Sequence, residues 1–158
     1  MVGKLITEEM HQFLKDKAFI SIATSDFYGR PNVAPKFLLK FEDDFIYLGD
    51  YVIGRTFQNL RNNPKASLSA INLDTLVGYQ INGRAKIIER GQEHKKLLMD
   101  MHERQIQFSV RRIIEGIQRK KTHTHFEVTF PERVVVFKIK VEEVVEIGPS
   151  GKLERKKI

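Results

Sequence analysis

The sequence predicts an α+β chain that is mostly β, with six or seven antiparallel strands closing into a barrel. Three observations predict it. Short segments alternating large apolar with small or polar residues recur between turn signals, as in strands with one face in a core. Their connections are tight polar turns, one short helix and one helical insertion, and closely spaced strands of this kind argue a barrel. Asn82-Gly83 interrupts a strand pattern that continues through Ile88. A hairpin turn is one reading, but a glycine kink within one long bent strand is preferred, because a barrel needs such corners.

The elements follow in order. Thr7 is a candidate N-cap, with Glu8 and Glu9 in the first turn and Met10, Phe13, Leu14 and Ala18 at helical spacing, so a helix is expected over 8–17. Residues 19–24 alternate as a strand, and 25–32, holding Asp26, Gly29, Pro31 and Asn32, form a turn. The second strand is expected over 33–41. Pro35 cannot donate to a ladder, so that point should lie on an edge, at a bulge or beside an opening. Glu42-Asp43-Asp44 turns the chain into a strand over 45–48, and a helix opened by Arg55 and Thr56 must end before Pro64. Strands follow at 66–71 and from 77 to about 88. The helical insertion, about 92–121, carries Leu97, Leu98 and Met101 as one apolar patch and Ile106, Val110, Ile113, Ile114 and Ile117 as another. The register slips between them, so two helices or one bent one are expected. Strands at 126–130 and 133–147 end the fold, and about 150–158 is expected as a flexible basic tail.

With 158 residues, a single domain spanning 1–158 is expected, with 41% hydrophobic residues to build its core. There is no cysteine, which excludes disulfides and thiolate metal sites. No apolar run reaches the length of a membrane span and the N-terminus lacks the core of a signal peptide, so no membrane partner and a cytoplasmic location are expected. Lys and Arg number 27 against 20 Asp and Glu, a net charge of +7 that favours anionic partners.

The stretch 45–64 carries the chemistry. A strand, a loop from Gly49 to Gly54 and a helix starting with Arg55 and Thr56 have the layout of an anion site. Free N–H groups at the helix start favour a phosphate, Arg55 adds a bidentate contact and Thr56 a hydroxyl donor. The same spacing also fits an ordinary β–turn–α connection with an exposed arginine. Other constellations are weaker. His123, His125 and Glu127 alternate along one strand, an unusual metal site, so no metal is expected. No Ser/His/Asp order supports hydrolysis, and Glu142-Glu143 reads as surface. Arg111, Arg112, Arg119, Lys120 and Lys121 make nucleic-acid binding the leading non-enzyme rival, without a recognisable motif.

Three pieces in order then carry a resemblance: 19–24 followed by Gly29-Arg30-Pro31; Val33-Ala34-Pro35-Lys36-Phe37; and Phe45-Ile46-Tyr47-Leu48 with Thr56-Phe57-Gln58-Asn59-Leu60 and Asn63-Pro64. Together they resemble the flavin-binding split-barrel family related to pyridoxamine 5′-phosphate oxidase. The resemblance implies an FMN-binding split barrel, a homodimer with flavin at the subunit interface, and flavin-dependent oxidoreduction of a small-molecule substrate. It implies that Lys36, Arg55 and Thr56 hold the phosphate and that the flavin ring lies along Ala34-Pro35 and Gly49-Asp50-Tyr51. Asn59 would support the loop, while Tyr79, Gln80 and Asn82 would come from the strand across the groove. The chain lacks the Arg-Leu-x-Pro ending of the pyridoxine-phosphate oxidases, so substrate identity does not carry over, and no residue stands out as a catalytic acid or base. A flavin carrier without catalysis and a haem- or deazaflavin-binding relative stay open beside the nucleic-acid reading.

Overall fold

The computed structural model describes residues 4–51, 53–119 and 133–157. Seven strands, β1 (Phe19–Ser25), β2 (Pro31–Glu42), β3 (Phe45–Asp50), β4 (Lys65–Asn72), β5 (Val77–Ile88), β6 (Val135–Ile147) and β7 (Leu153–Lys157), form one antiparallel sheet in the order β3-β2-β1-β4-β5-β6-β7. β3 also pairs with the first half of β6, Phe45 opposite Lys140 through Asp50 opposite Val135, and this closes the first six strands into a barrel. The helices are α1 (Glu8–Lys15), α2 (Arg55–Asn62) and α3 (Gln92–Arg119). The expected strand at 126–130 and the His123, His125 and Glu127 set lie outside the described residues.

The alternating pattern explains the barrel. Ile20, Ile22, Leu38, Ile46, Leu48, Leu68, Ile81, Phe137 and Ile139 point inward and are buried together. Each such side chain contributes roughly 1.5–3 kcal/mol on leaving water. Met10 and Leu14 join the same core from α1, whose first turn is capped by the Thr7 hydroxyl accepting from the Met10 N–H at 3.3 Å. The hairpin between β2 and β3 turns at Asp43, which adopts a left-handed φ of 52°.

β5 is one continuous strand, with the kink where the sequence suggests it. Its register against β6 shifts between Asn82 and Gly83, and a Cβ at position 83 would run into the Lys140 carbonyl oxygen. Pro35 sits on an open edge: β2 pairs with β1 throughout 31–37 but meets β3 only from Phe37 opposite Gly49 onward.

Of the two readings of the insertion, one helix holds: α3 runs unbroken through 28 residues, about 42 Å. Leu97 and Met101, near its start, cover the outer face of β2, β3 and β6 with Phe37, Tyr47 and Val136. A Cβ at Gly49 would lie 2.7 Å from the Met101 sulfur, so any larger residue there would make the Met101 side chain shift. Arg104 ties the helix to the end of α1, donating to the Lys15 and Lys17 carbonyls at 3.1 and 2.9 Å. Ile106, Val110, Ile113, Ile114 and Ile117 then fall on the opposite side, at 100° per residue, and are exposed. The tail differs from expectation: residues 153–157, expected as a flexible end, form β7 along the second half of β6, with all five side chains exposed. No described helix is long and apolar enough to cross a membrane.

Candidate functional site

α2 is pinned to the barrel by three side-chain hydrogen bonds. The Asn59 amide donates to the Thr24 hydroxyl, the Asn63 amide to the Ser25 hydroxyl and the Asn32 amide to the Thr56 hydroxyl, each at 3.1 Å. Thr24, Thr56 and Asn59 are all buried. Thr56 accepts from Asn32, so its own O–H is left to donate. Gly54 precedes α2 without a side-chain cap, which leaves first-turn N–H groups for a ligand or water. Arg55 is exposed at this helix start and has no acidic partner among the described residues.

Lys36 is arranged differently from expectation. Its ammonium lies 2.9 Å from the Asp50 carboxylate and its side chain is only 10% exposed. The two residues tie β2 to the end of β3 where these strands begin to separate. Lys36 is therefore committed to an ion pair inside the protein instead of standing free for a phosphate. Ala34 is half-buried, Pro35 lies on the open edge of β2 and Tyr51 is exposed just beyond β3.

The strand expected across the groove divides by side-chain alternation. Tyr79 points into the core against Phe13, ring centroids 5.4 Å apart. Burial first, and then the charges of Glu146 and Glu9, push its phenol above the ordinary value. Gln80 and Asn82 face outward instead. The Asn82 carbonyl accepts from the Ser67 hydroxyl at 2.7 Å, and its amide donates to Glu143 at 2.5 Å. Glu143 is not a simple surface residue. It also accepts from Arg155 and Lys157 of β7, at 3.1 and 3.0 Å. The Lys157 ammonium, then the Asn82 amide, hold its carboxyl below the usual range.

Two of the openings hold residues expected at the site. One, about 360 Å³, runs over β1, β4 and β5 and is lined by Thr24, Ser67, Asn82 and Glu142 among others. The other, about 350 Å³, lies between α2 and the β1–β2 loop, lined by Phe27, Tyr28, Arg30, Arg55, Gln58 and Asn59 among others. The Asn59–Thr24 hydrogen bond joins their walls. Arg55 and Asn59 thus meet in one opening and Asn82 lies in the other. Thr24, Ser25, Asn32 and Asn63 were not singled out by sequence, since each partner is 24 to 38 residues away. Among the described residues no group of His, Asp and Glu could hold a metal ion.

Residues 6–147 match the family model described as pyridoxamine 5′-phosphate oxidase. The chain belongs to that family. An uncharacterised protein of Methanocaldococcus jannaschii is 32% identical over 91 residues, which are 55% of this chain and 59% of that one, so the match spans under two thirds of the relative. Among solved structures, a Clostridium acetobutylicum protein related to general stress protein 26, of the pyridoxinephosphate oxidase family, superposes with a TM-score of 0.69 at 16% identity, covering 95% of this chain and 92% of that one. A pyridoxamine 5′-phosphate oxidase-related, FMN-binding protein from Nostoc punctiforme gives 0.57 at 12% identity, with 94% and 91% covered. At these identities the structures establish the shared split barrel, and the family match covers nearly all of it.

Proposed function

We propose that this chain binds a flavin, FMN in the first instance, as a two-fold dimer, and uses it in oxidoreduction of a small molecule. The observation that carries the reading is the start of α2. Arg55 is exposed and without an acidic partner among the described residues, beside a Thr56 hydroxyl held by Asn32 with its proton free to donate. Those groups fit a phosphate: a guanidinium fork, a hydroxyl donor and helix N–H groups at one point. Lys36 does not fit that role while it is paired with Asp50.

A bound flavin would supply hydride or electron transfer; the residues described here supply binding and orientation. The open edge of β2 at Ala34 and Pro35, with the exposed Tyr51 beyond β3, would be the surface met by a planar ring. Asn82 lines a separate opening and Gln80 is exposed on the same strand face, so a second copy is the natural way to bring such groups against a ligand held at Arg55. Exposed apolar residues support self-association: Phe19 and Val33 on the sheet, and the Ile106–Ile117 stripe of α3. Flavin-dependent activity and the family's dimeric habit come from the resemblance.

The visible spectrum of the purified protein tests the reading, followed by mass analysis of what denaturation releases and by titration with FMN and riboflavin. A flavin spectrum with FMN bound much more tightly than riboflavin is expected. Equal affinities would overturn the phosphate assignment, and a haem spectrum would overturn the flavin.

A further inference from the structure

The β1–β2 loop displays two aromatic rings without an evident structural use. Phe27 is 88% and Tyr28 79% exposed, and they pack only on each other edge to face, centroids 5.6 Å apart, with the Arg30 guanidinium 5.5 Å from the Tyr28 ring. The loop that carries them is fixed. The Asp26 carboxylate accepts from the Tyr28 and Arg30 N–H groups, both at 2.9 Å, and from the Arg30 guanidinium at 2.6 Å. Gly29 closes the turn at a left-handed φ of 77°. A contact group held rigid before binding loses less entropy on binding.

Both rings line the 350 Å³ opening that also contains Arg55, the residue assigned to the phosphate. Arg30 is neutralised by Asp26, so Arg55 is the one cation of that opening without an acidic partner among the described residues. On the facing side of the opening, Gln58 and Asn62 stand one turn apart on α2. The Asn62 amide donates to the Gln58 carbonyl at 3.0 Å, and its side-chain oxygen and the Gln58 amide are left for a polar ring edge.

We propose that the opening between the β1–β2 loop and α2 takes the second half of a flavin dinucleotide, an aromatic base stacked on Phe27 or Tyr28 and joined to the flavin half through a pyrophosphate, one phosphate of which meets Arg55. The inference rests on the flavin reading and adds to it a nucleobase subsite outside the flavin's own half. Stacking on an aromatic side chain is worth roughly 1–3 kcal/mol per base, which is about fivefold to 150-fold in affinity.

The test is calorimetric titration of the flavin-free full chain with FAD and with FMN, in the wild type and in a Phe27→Ala/Tyr28→Ala double variant, with light scattering on both. FAD is expected to bind the wild type at least fivefold more tightly than FMN. The double variant should lose that advantage while keeping its FMN affinity and its oligomeric state. FMN binding with no FAD advantage overturns this inference and leaves the flavin reading intact, as does an advantage that survives the double variant. Failure of both flavins to bind overturns both readings. Dissociation of the double variant into monomers would reassign the two rings to a protein interface and overturn the subsite.

Discussion

Asn59 of α2 donates its side-chain amide to the hydroxyl of Thr24 on β1 at 3.1 Å, and both residues are almost sealed from solvent. With the Asn32–Thr56 and Asn63–Ser25 bonds, it sets how far α2 stands from the sheet. Whatever Arg55 and Thr56 hold is positioned through it.

Replacing Asn59 by Leu leaves the Thr24 hydroxyl buried without its donor, which costs about 1–3 kcal/mol. A melting temperature lower by several degrees is expected, together with weaker FMN binding. Thr24→Val in the same background should restore part of the stability, because both polar partners are then gone. If it restores none, the bond is not what holds α2.

The Lys36–Asp50 pair is a stability element first. Asp50→Ala strands a buried ammonium, and removing one partner of such a pair costs about 3–5 kcal/mol. The Lys36→Met/Asp50→Leu double variant should be far milder in denaturant unfolding. Lys36→Met should weaken FMN and riboflavin alike. A loss confined to FMN would return Lys36 to the phosphate.

Arg55→Ala should leave the unfolding midpoint nearly unchanged, since the side chain is exposed and has no acidic partner among the described residues. FMN affinity should fall about thirtyfold, for a charge-assisted contact of about 2 kcal/mol. Riboflavin affinity should not move. Lysine should rescue only in part, because it keeps the charge and loses the planar fork. Arg111→Ala/Arg112→Ala should not alter flavin binding, whereas a nucleic-acid-binding protein would lose its salt-sensitive affinity in that variant.

On α3, Val110→Glu/Ile114→Glu places carboxylates in the exposed apolar stripe. If a second copy covers it, light scattering should report half the wild-type mass while circular dichroism keeps the fold. A dimer that survives would have to use the sheet face carrying Phe19 and Val33.

Glu143 ties β7 to β6, and its carboxyl is held below the usual range by Lys157 and then Asn82. A carboxyl lowered in the folded state stabilises fully above its unfolded value and loses that contribution as pH falls through the folded one. Amide exchange at 153–157 should therefore accelerate on acidification below the ordinary carboxylate range. Glu143→Gln should accelerate it already at neutral pH. Equal exchange in both proteins would show that the backbone ladder alone holds the strand.

The barrel was legible because its signals are local: alternation in β1, β4 and β5, the polar turn at Asp43, the kink at Gly83. The proposed anion site rests on equally local signals, since Gly54, Arg55 and Thr56 are consecutive. What sequence missed depends on distant pairings. Asp50 and Lys36 were both picked out, yet nothing local says that they neutralise each other. Tyr79 differs from Gln80 only by which way one strand residue points, and a slip of one position reverses it. The apolar halves of α3 read as two helices or one bent one because a helix is expected to bury one stripe. This helix covers the barrel with one side and carries its other apolar stripe opposite, exposed in the chain itself. β7 was hidden by its charges, which suit both a solvated tail and an edge strand that discourages further pairing.

The register slip at Gly83 makes one position a lever on chemistry it does not touch. Asn82 stands immediately before the slip, and Glu143 is its partner across the seam. Any side chain at 83 would push β5 away from the Lys140 carbonyl and turn the Asn82–Glu143 contact with it. In a screen of random variants scored only for ligand retention, position 83 would therefore look like a binding residue. Its tolerance would be nearly zero, although a glycine has no side chain to offer a ligand.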